Sequence, residues 1–387
     1  LTAALALARS GFRVVVLEQA ERLEETGAGI QLSPNAARTL IGLGLEEQLR
    51  AQVVAPSALH VFDAKSGREI VRMPLGDAAT QRYGAPYWVI HRGDLQAALA
   101  NAVAKTPGIA LKLGTRVENF AVQTNGVTVS AHSAAGVLEE TGTALIAADG
   151  LWSATRSGLD HDASPRFAQR AAWRALIPAK NVSPAFAEPL VRLWLGPAAH
   201  LVHYPVKGGS LINIVLIMDD TWNAPGWSEP ASRADLLQRI SKTDWTPQAL
   251  SLISTPESWL KWALYDLKPI ARWSQGPVAL LGDAAHPMLP YLAQGAAIAI
   301  EDAAVVAHCL AQTPDDPTAA LQSYWAARNA RAHKVQRLAA RNGARYHLSG
   351  MRAMVRNMAM HALGGARLLH HYDWLYDWRP PAALSLT

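Results

Sequence analysis

Asp283, His286 and the run Gln294-Gly295-Ala296-Ala297 are where the residue types and spacing of this chain come nearest to chemistry; all lie in LGDAAHPMLPYLAQGAAIAIEDA, residues 281–303. The apolar run Val278 to Leu281 reads as a buried strand that delivers the Asp283 carboxylate at its C-terminal end. A loop punctuated by Pro287 and Pro290 follows, and Gln294-Gly295 then opens a helix that continues through Ile300 to about Leu310. Backbone N–H groups at a helix start lack intrahelical acceptors, and with only small side chains in front of them an electron-rich ligand can approach closely. A carboxylate a few residues upstream accepts hydrogen bonds from a sugar or ribitol hydroxyl. Asp283, Gln294, Gly295, Ala296 and Ala297 are therefore expected to form a cofactor cradle.

The elements that must position this cradle follow from the patterning. Leu1 to Ser10 reads as a helix, Gly11 as its stop, and Phe12 to Leu17 as a buried strand ending in Glu18. In a dinucleotide-binding βαβ unit a Gly-x-Gly-x-x-Gly turn precedes the helix, and an acid about 20 residues on takes the ribose hydroxyls. Glu18 stands in the place of that acid, so the glycine turn is expected immediately before Leu1. Pro34–Leu43 and Leu95–Ala104 read as helices; Ala110–Leu113, Val127–Ala131 and Thr143–Ala147 read as strands. From Trp173 the signal changes to short strands, Val191–Leu195 and Leu211–Ile217, separated by Gly-containing turns. Helices are expected over Asp235–Ser241, Gln248–Ile253, Glu257–Trp262, Pro317–Gly343 and Tyr346–Met360. The predicted fold is α/β: a discontinuous Rossmann-like cofactor domain from residues 1–175 and 276–387, with C-terminal helices. An antiparallel-sheet substrate domain from residues 176–275 is interleaved with it, and strands near 55–90 are candidates to join that sheet.

Further stretches join the first. Ala28 to Arg38, AGIQLSPNAAR, places a Gly turn before a helix whose N-cap is Ser33 and whose first residue is Pro34. His91-Arg92-Gly93-Asp94-Leu95 puts an Arg at a helix start, where its fork can grip phosphate or ribose oxygens. Asp149-Gly150 follows a strand and is itself followed by Ser153 and Arg156. On the expected sheet, His200, Val202 and Tyr204 alternate with Leu201, His203 and Pro205, so the two histidines project to opposite faces.

These stretches, spread over essentially the whole chain, resemble the FAD-dependent aromatic hydroxylases, the single-component flavoprotein monooxygenases, and within them the branch of salicylate hydroxylase and 3-hydroxybenzoate 6-hydroxylase. The resemblance implies that Asp283 binds the ribitol of FAD and that the helix after Gln294-Gly295 points its N-terminus at the pyrimidine edge of the flavin. It assigns Glu18 to the adenosine ribose, and Arg38, Arg92 and Asp149 to the pyrophosphate region. His200 falls beside the substrate hydroxyl, where a histidine can take a phenolic proton. His203 is the second candidate on that strand, and Pro287 is expected to present its carbonyl toward the ring. NADH or NADPH would reduce the flavin, and dioxygen would yield a flavin hydroperoxide that hydroxylates a small phenolic or aromatic acid. The alternatives are another flavin oxidoreductase of the same fold, or a flavin-binding redox sensor without turnover.

Composition sets the remaining bounds. The 387 residues, half of them hydrophobic, suffice for a large core and two domains. No run of about 18 uninterrupted apolar residues exists, so a membrane span is not expected. The formal charge of +5 is spread along the chain rather than gathered into a nucleic-acid-binding block. The single Cys309 excludes an internal disulfide framework and fits a reducing, cytoplasmic setting. The closing run from His370 to Trp378 carries His and Asp at spacings that superficially suggest a metal site. Without a supporting Cys or Glu cluster it reads as packing, and no metal is expected. A monomer or homodimer is expected.

Overall fold

The computed structural model describes residues 1–23, 28–159, 163–223, 228–241 and 243–381. Two short parallel pairs anchor the cofactor side: Val14–Leu17 with Ile109–Lys112, and Leu145–Ala147 with Val278–Leu280. In the second pair Ala147 lies opposite Leu280, and the Leu281 N–H donates to the Ala147 carbonyl at 2.9 Å. Both chains therefore leave at the same edge, which brings the Asp149-Gly150 turn and the Gly282-Asp283 turn together although 134 residues separate them in sequence. That edge is where parallel α/β sheets bind ligands. Helix Gly295–Gln312 starts there and packs on helices Thr2–Arg9, Pro34–Gly42 and Pro317–Tyr346. It is long and apolar enough to cross a membrane, but 67% of it is buried inside the protein, as befits a core helix that is apolar all round.

The other layer is an eight-stranded sheet. In spatial order its strands are Glu229–Ser232, Ser258–Asp266, Arg166–Pro178, Leu211–Asp219, Ala199–Val206, Val191–Gly196, Ala58–Asp63 and Glu69–Pro74. Neighbours run antiparallel except Val191–Gly196 with Ala58–Asp63, which are parallel. One face carries Trp173, Trp194, Leu201, Ile214, Leu216 and Trp259, and is covered by helices Arg233–Ile240 and Pro247–Ser254. The other face looks toward the cofactor elements through Tyr204, Val206 and Ile217.

Three expectations need correction. Glu257–Trp262 is not a helix: Ser258–Asp266 is a strand paired on both sides, and the alternation of buried Trp259 and Lys261 with half-buried Leu260 and Trp262 has the two-residue period of a sheet. The strand Arg166–Pro178 runs through residue 175, so the division expected there falls inside a strand. The last long helices are Pro317–Tyr346 and Gly350–His370, the second kinked at Gly364 with φ of 72°. At the neighbouring Gly365 a Cβ would fall 1.7 Å from the Arg72 carbonyl oxygen, so only glycine lets this helix cross the edge strand.

Candidate cofactor and substrate site

Asp283 sits on a single 3-10 turn, Gly282–Ala284, with Gly282 at φ 62°. Its side chain keeps accessible surface, yet it is enclosed deeply enough that desolvation pushes its carboxyl up against the opposing charges of His286 and Arg92. A carboxylate both enclosed and reachable lines a cleft rather than the outer surface. Helix Gly295–Gln312 presents its first N–H groups without any side-chain cap. A Cβ at Gly295 would meet only Met288 Cγ, at 3.8 Å. Asn213 adds a buried amide: its Oδ1 accepts the Gly29 N–H at 2.7 Å, while its Nδ2 has no protein partner. Uncapped helix N–H groups, a reachable carboxylate and an orphaned buried amide together fit a polar, anion-bearing cofactor such as FAD.

Gln294, expected in the cradle, turns its side chain inward. Its Nε2 donates to Ser33 Oγ at 2.8 Å and its Oε1 accepts from Asn35 Nδ2 at 3.2 Å, so it contributes to the site only through the helix it precedes. Behind it lies a buried charge network for which the sequence offered no chemistry. Asn35 Nδ2 donates to Glu301 at 2.6 Å, Arg328 bridges Glu301 and Asp302 at 2.7 Å each, Arg331 forks onto both oxygens of Glu301, and His286 Nε2 meets Asp302 at 2.5 Å. Burial raises the Asp302 carboxyl, but the charges of His286 and Arg328 and their hydrogen bonds outweigh it and hold the group below the usual range. The closing run packs over this network, with Arg331 donating to the Trp374 and Leu375 carbonyls and lying over the Trp374 and Trp378 rings.

The residues expected near the adenosine and pyrophosphate are distributed unevenly. Glu18 ends its strand as predicted, its carboxylate accepting the Ala20 N–H at 2.8 Å. Asp149 is exposed at the shared sheet edge, accepting the Thr155 N–H at 3.3 Å. Arg92 is half-buried and close enough for its charge to act on Asp283 and Tyr204. Arg38 is buried and gives its guanidinium to the Tyr83 and Trp378 carbonyls. Pro287 likewise directs its carbonyl to Gln336 Nε2 at 2.9 Å, since that buried amide needs an acceptor. Arg156, part of the Asp-Gly stretch, is fully buried and donates to the Ala284 carbonyl at 3.0 Å and to Leu151 and Ala163, which ties the Asp149 turn to the Asp283 turn.

His200 and His203 do project to opposite faces. His203 is buried against Phe186 with both ring nitrogens unpartnered, and burial drops it to about 3, so it is a neutral core residue on the covered face. His200 is buried on the cofactor-facing side against Tyr291 and Tyr346, with its Nδ1 at 2.8 Å from Nε2 of His347. Burial, with the nearby His347 and Arg170, holds it well below the usual imidazole range. Tyr204 shares this face, and Tyr87 donates to Gln31 at 2.6 Å. His347 was invisible to sequence reasoning, since no pattern links the end of a C-terminal helix to a distant strand. A groove of about 590 Å³ lined by Arg82, Tyr83, Leu369, His370 and Asp373 contains none of these residues, and its charged walls pair with each other.

With this geometry the chain can be placed among known proteins. A family described as FAD binding domain matches residues 1–339. The chain is 36% identical over 377 residues to 3-hydroxybenzoate 6-hydroxylase 1 of Aquipseudomonas alcaligenes, covering 97% of this chain and 94% of that one. It is also 36% identical to the 3-amino-4-hydroxybenzoate 2-monooxygenase PtnB3 of Streptomyces platensis, covering 98% and 93%. Among solved structures, a salicylate hydroxylase substrate complex superposes with a TM-score of 0.81 at 26% identity, covering 99% and 94%. The chain belongs to the FAD-dependent aromatic monooxygenases. Its mixed α/β fold with C-terminal helices is that of the family's hydroxylase structures, and it is an FAD-binding enzyme.

Proposed function

We propose that this protein hydroxylates the ring of a small phenolic or aromatic acid of the hydroxybenzoate type, with NADH or NADPH as reductant. The observation that carries this reading is buried His200 on the sheet face turned toward the cofactor elements, the face opposite to that of His203. The substrates for which the relatives are named, 3-hydroxybenzoate and 3-amino-4-hydroxybenzoate, are phenolic acids and support the same class. When bound, FAD supplies the two-electron reduction and the activation of dioxygen. The chain supplies the rest. Asp283 would accept hydrogen bonds from the cofactor's hydroxyls, Arg92 and the Asp149 turn would hold its phosphates, and the N-terminus of Gly295–Gln312 would stabilise negative charge on it. His200 accepts the phenolic proton, which makes the ring more electron-rich, and the sheet above it excludes water.

The test is a panel of phenolic acids, scored for stimulation of NADH and NADPH oxidation with identification of the product. A hydroxylated product formed in proportion to reductant consumed is expected. Flavin reduction without any acid stimulating oxygen uptake would instead identify a redox sensor.

A further inference from the structure

His200 is the first member of a chain of side chains that reaches the surface. Its Nδ1 lies 2.8 Å from His347 Nε2, and His347 Nδ1 lies 3.4 Å from Asp219 Oδ1. The first residue is buried, the His347 side chain is 5% exposed, and the Asp219 side chain is 57% exposed. The three come from different elements: His200 from strand Ala199–Val206, Asp219 from the end of strand Leu211–Asp219, and His347 from the corner after helix Pro317–Tyr346. Strand pairing puts two of them on one face a diagonal step apart, because His200 faces Ile217 across the ladder and Asp219 lies two residues further along.

We infer that Asp219, His347 and His200 form a positioning and proton-exit relay that makes His200 Nε2 the base. The inference rests on the functional reading above and specifies how His200 performs its part. The direction of the relay follows from the acceptor at its outer end. Asp219 is acceptor-only when ionised, so His347 must carry its proton on Nδ1 and offer Nε2 as a lone pair. His200 must then donate from Nδ1, which leaves Nε2 as the lone pair. When the phenol O–H gives its proton to His200 Nε2, the Nδ1 proton passes to His347 Nε2, and the imidazolium formed there faces Asp219. The phenol becomes phenolate, His200 returns to neutral as the other tautomer, and the proton leaves from His347 or Asp219 to solvent. The long outer contact shortens as His347 becomes charged, as catalytic hydrogen bonds do between resting and reacting states.

The groups packed around the relay suit this role. Arg170 donates to Asp219 Oδ1 at 3.1 Å and to the Tyr291 hydroxyl at 3.0 Å, holding the carboxylate in place. Tyr291 and Tyr346 wall His200, and Arg356 approaches His347 from the last long helix. Burial and the two arginines keep His347 low, at about 4, so both imidazoles rest neutral, and Asp219 is the group that favours a proton on His347.

The experiment uses FAD-loaded protein with ¹⁵N-labelled histidine, reading tautomers by NMR, and kinetics with 3-hydroxybenzoate as probe. His200 is expected as the Nδ1–H tautomer in the unsubstituted protein and as a mixture in His347→Phe. His347→Gln, whose carbonyl can accept the Nδ1 proton, should keep the tautomer but not carry the proton. Hydroxylation should fall about tenfold to 100-fold in His347→Phe, with the loss in kcat rather than KM and shrinking at high pH, where the phenol ionises unaided. His347→Gln should show a smaller deficit with the same pH dependence. His200 found as the Nε2–H tautomer, or His347→Phe retaining the normal pH profile, overturns the relay. If His200→Ala also retains full coupled hydroxylation, the failure belongs to the functional reading; if only the His347 variants are silent, it belongs to the relay alone.

Discussion

Asp283 and Asp302 belong to the same strand-loop-helix unit, and the protein treats them oppositely. Asp302 has no accessible surface and accepts from His286, Arg328 and the Gly282 N–H, so its carboxyl is held low. Asp283 keeps accessible surface, is enclosed, and has its carboxyl pushed up. The same contrast separates the start of helix Gly295–Gln312 from its middle: an uncapped N-terminus faces the cleft, while Glu301 and Asp302 about two turns on are fully paired. In this unit the fully paired carboxylates belong to scaffold, and the reachable carboxylate and uncapped N–H groups mark the place kept for a ligand.

The contrast can be broken most forcefully at Arg328. Arg328→Met strips both buried carboxylates of a shared partner and should cost about 3–5 kcal/mol in denaturant unfolding of the apoprotein; a loss comparable to a surface substitution would show that the network is not a structural lock. On the ligand side, His200→Ala should leave FAD binding intact and reduce hydroxylation by about 100-fold, with more oxygen released as hydrogen peroxide; full coupling in the variant would move the base elsewhere. Asp283→Ala should weaken FAD binding by about one to two decades, the worth of about 1.5–3 kcal/mol for a charge-assisted hydrogen bond, as read by titration of apoprotein.

Asparagine variants sharpen the comparison through its sign. The folded value of Asp302 is depressed, so the stability it contributes is present above its unfolded value and lost as pH falls through the folded one. The folded value of Asp283 is raised, so its ionisation in apoprotein costs stability as pH rises through the folded value. At neutral pH, Asp302→Asn should lower the apoprotein Tm and Asp283→Asn should raise it slightly; shifts of the same sign would erase the distinction. The smallest effect is at His203. With a folded value of about 3, it costs stability as pH falls below its unfolded value of about 6.5. His203→Phe should leave activity unchanged at neutral pH and flatten the acid side of the stability profile, which pH-dependent unfolding would detect.

Legibility in the sequence followed how local each feature is. The cradle could be read because a strand end, a turn and a helix start are consecutive in residues 278–297, and the opposite faces of His200 and His203 followed from period two alone. Arg38 was legible as a motif position but not in its partners, the Tyr83 and Trp378 carbonyls, which come from distant parts of the chain. Trp259 to Trp262 misled because a short apolar run has no period of its own until neighbouring strands impose one. Arg328 and His347 were silent because their roles exist only after folding has placed a distant carboxylate or imidazole beside them.

The contact at Gly29 gives the ligand slot its thickness. The Gly29 N–H is bonded to Asn213 on the sheet, and a methyl group there would sit 2.6 Å from the Tyr204 ring and 2.7 Å from the Asn213 side chain. The two layers are thus clamped at bare backbone, with no side chain as a spacer. A single Ala at this point would act as a shim, tilting the sheet away from the cradle. An engineer seeking room for a bulkier ring could widen the slot here without touching any residue that does chemistry.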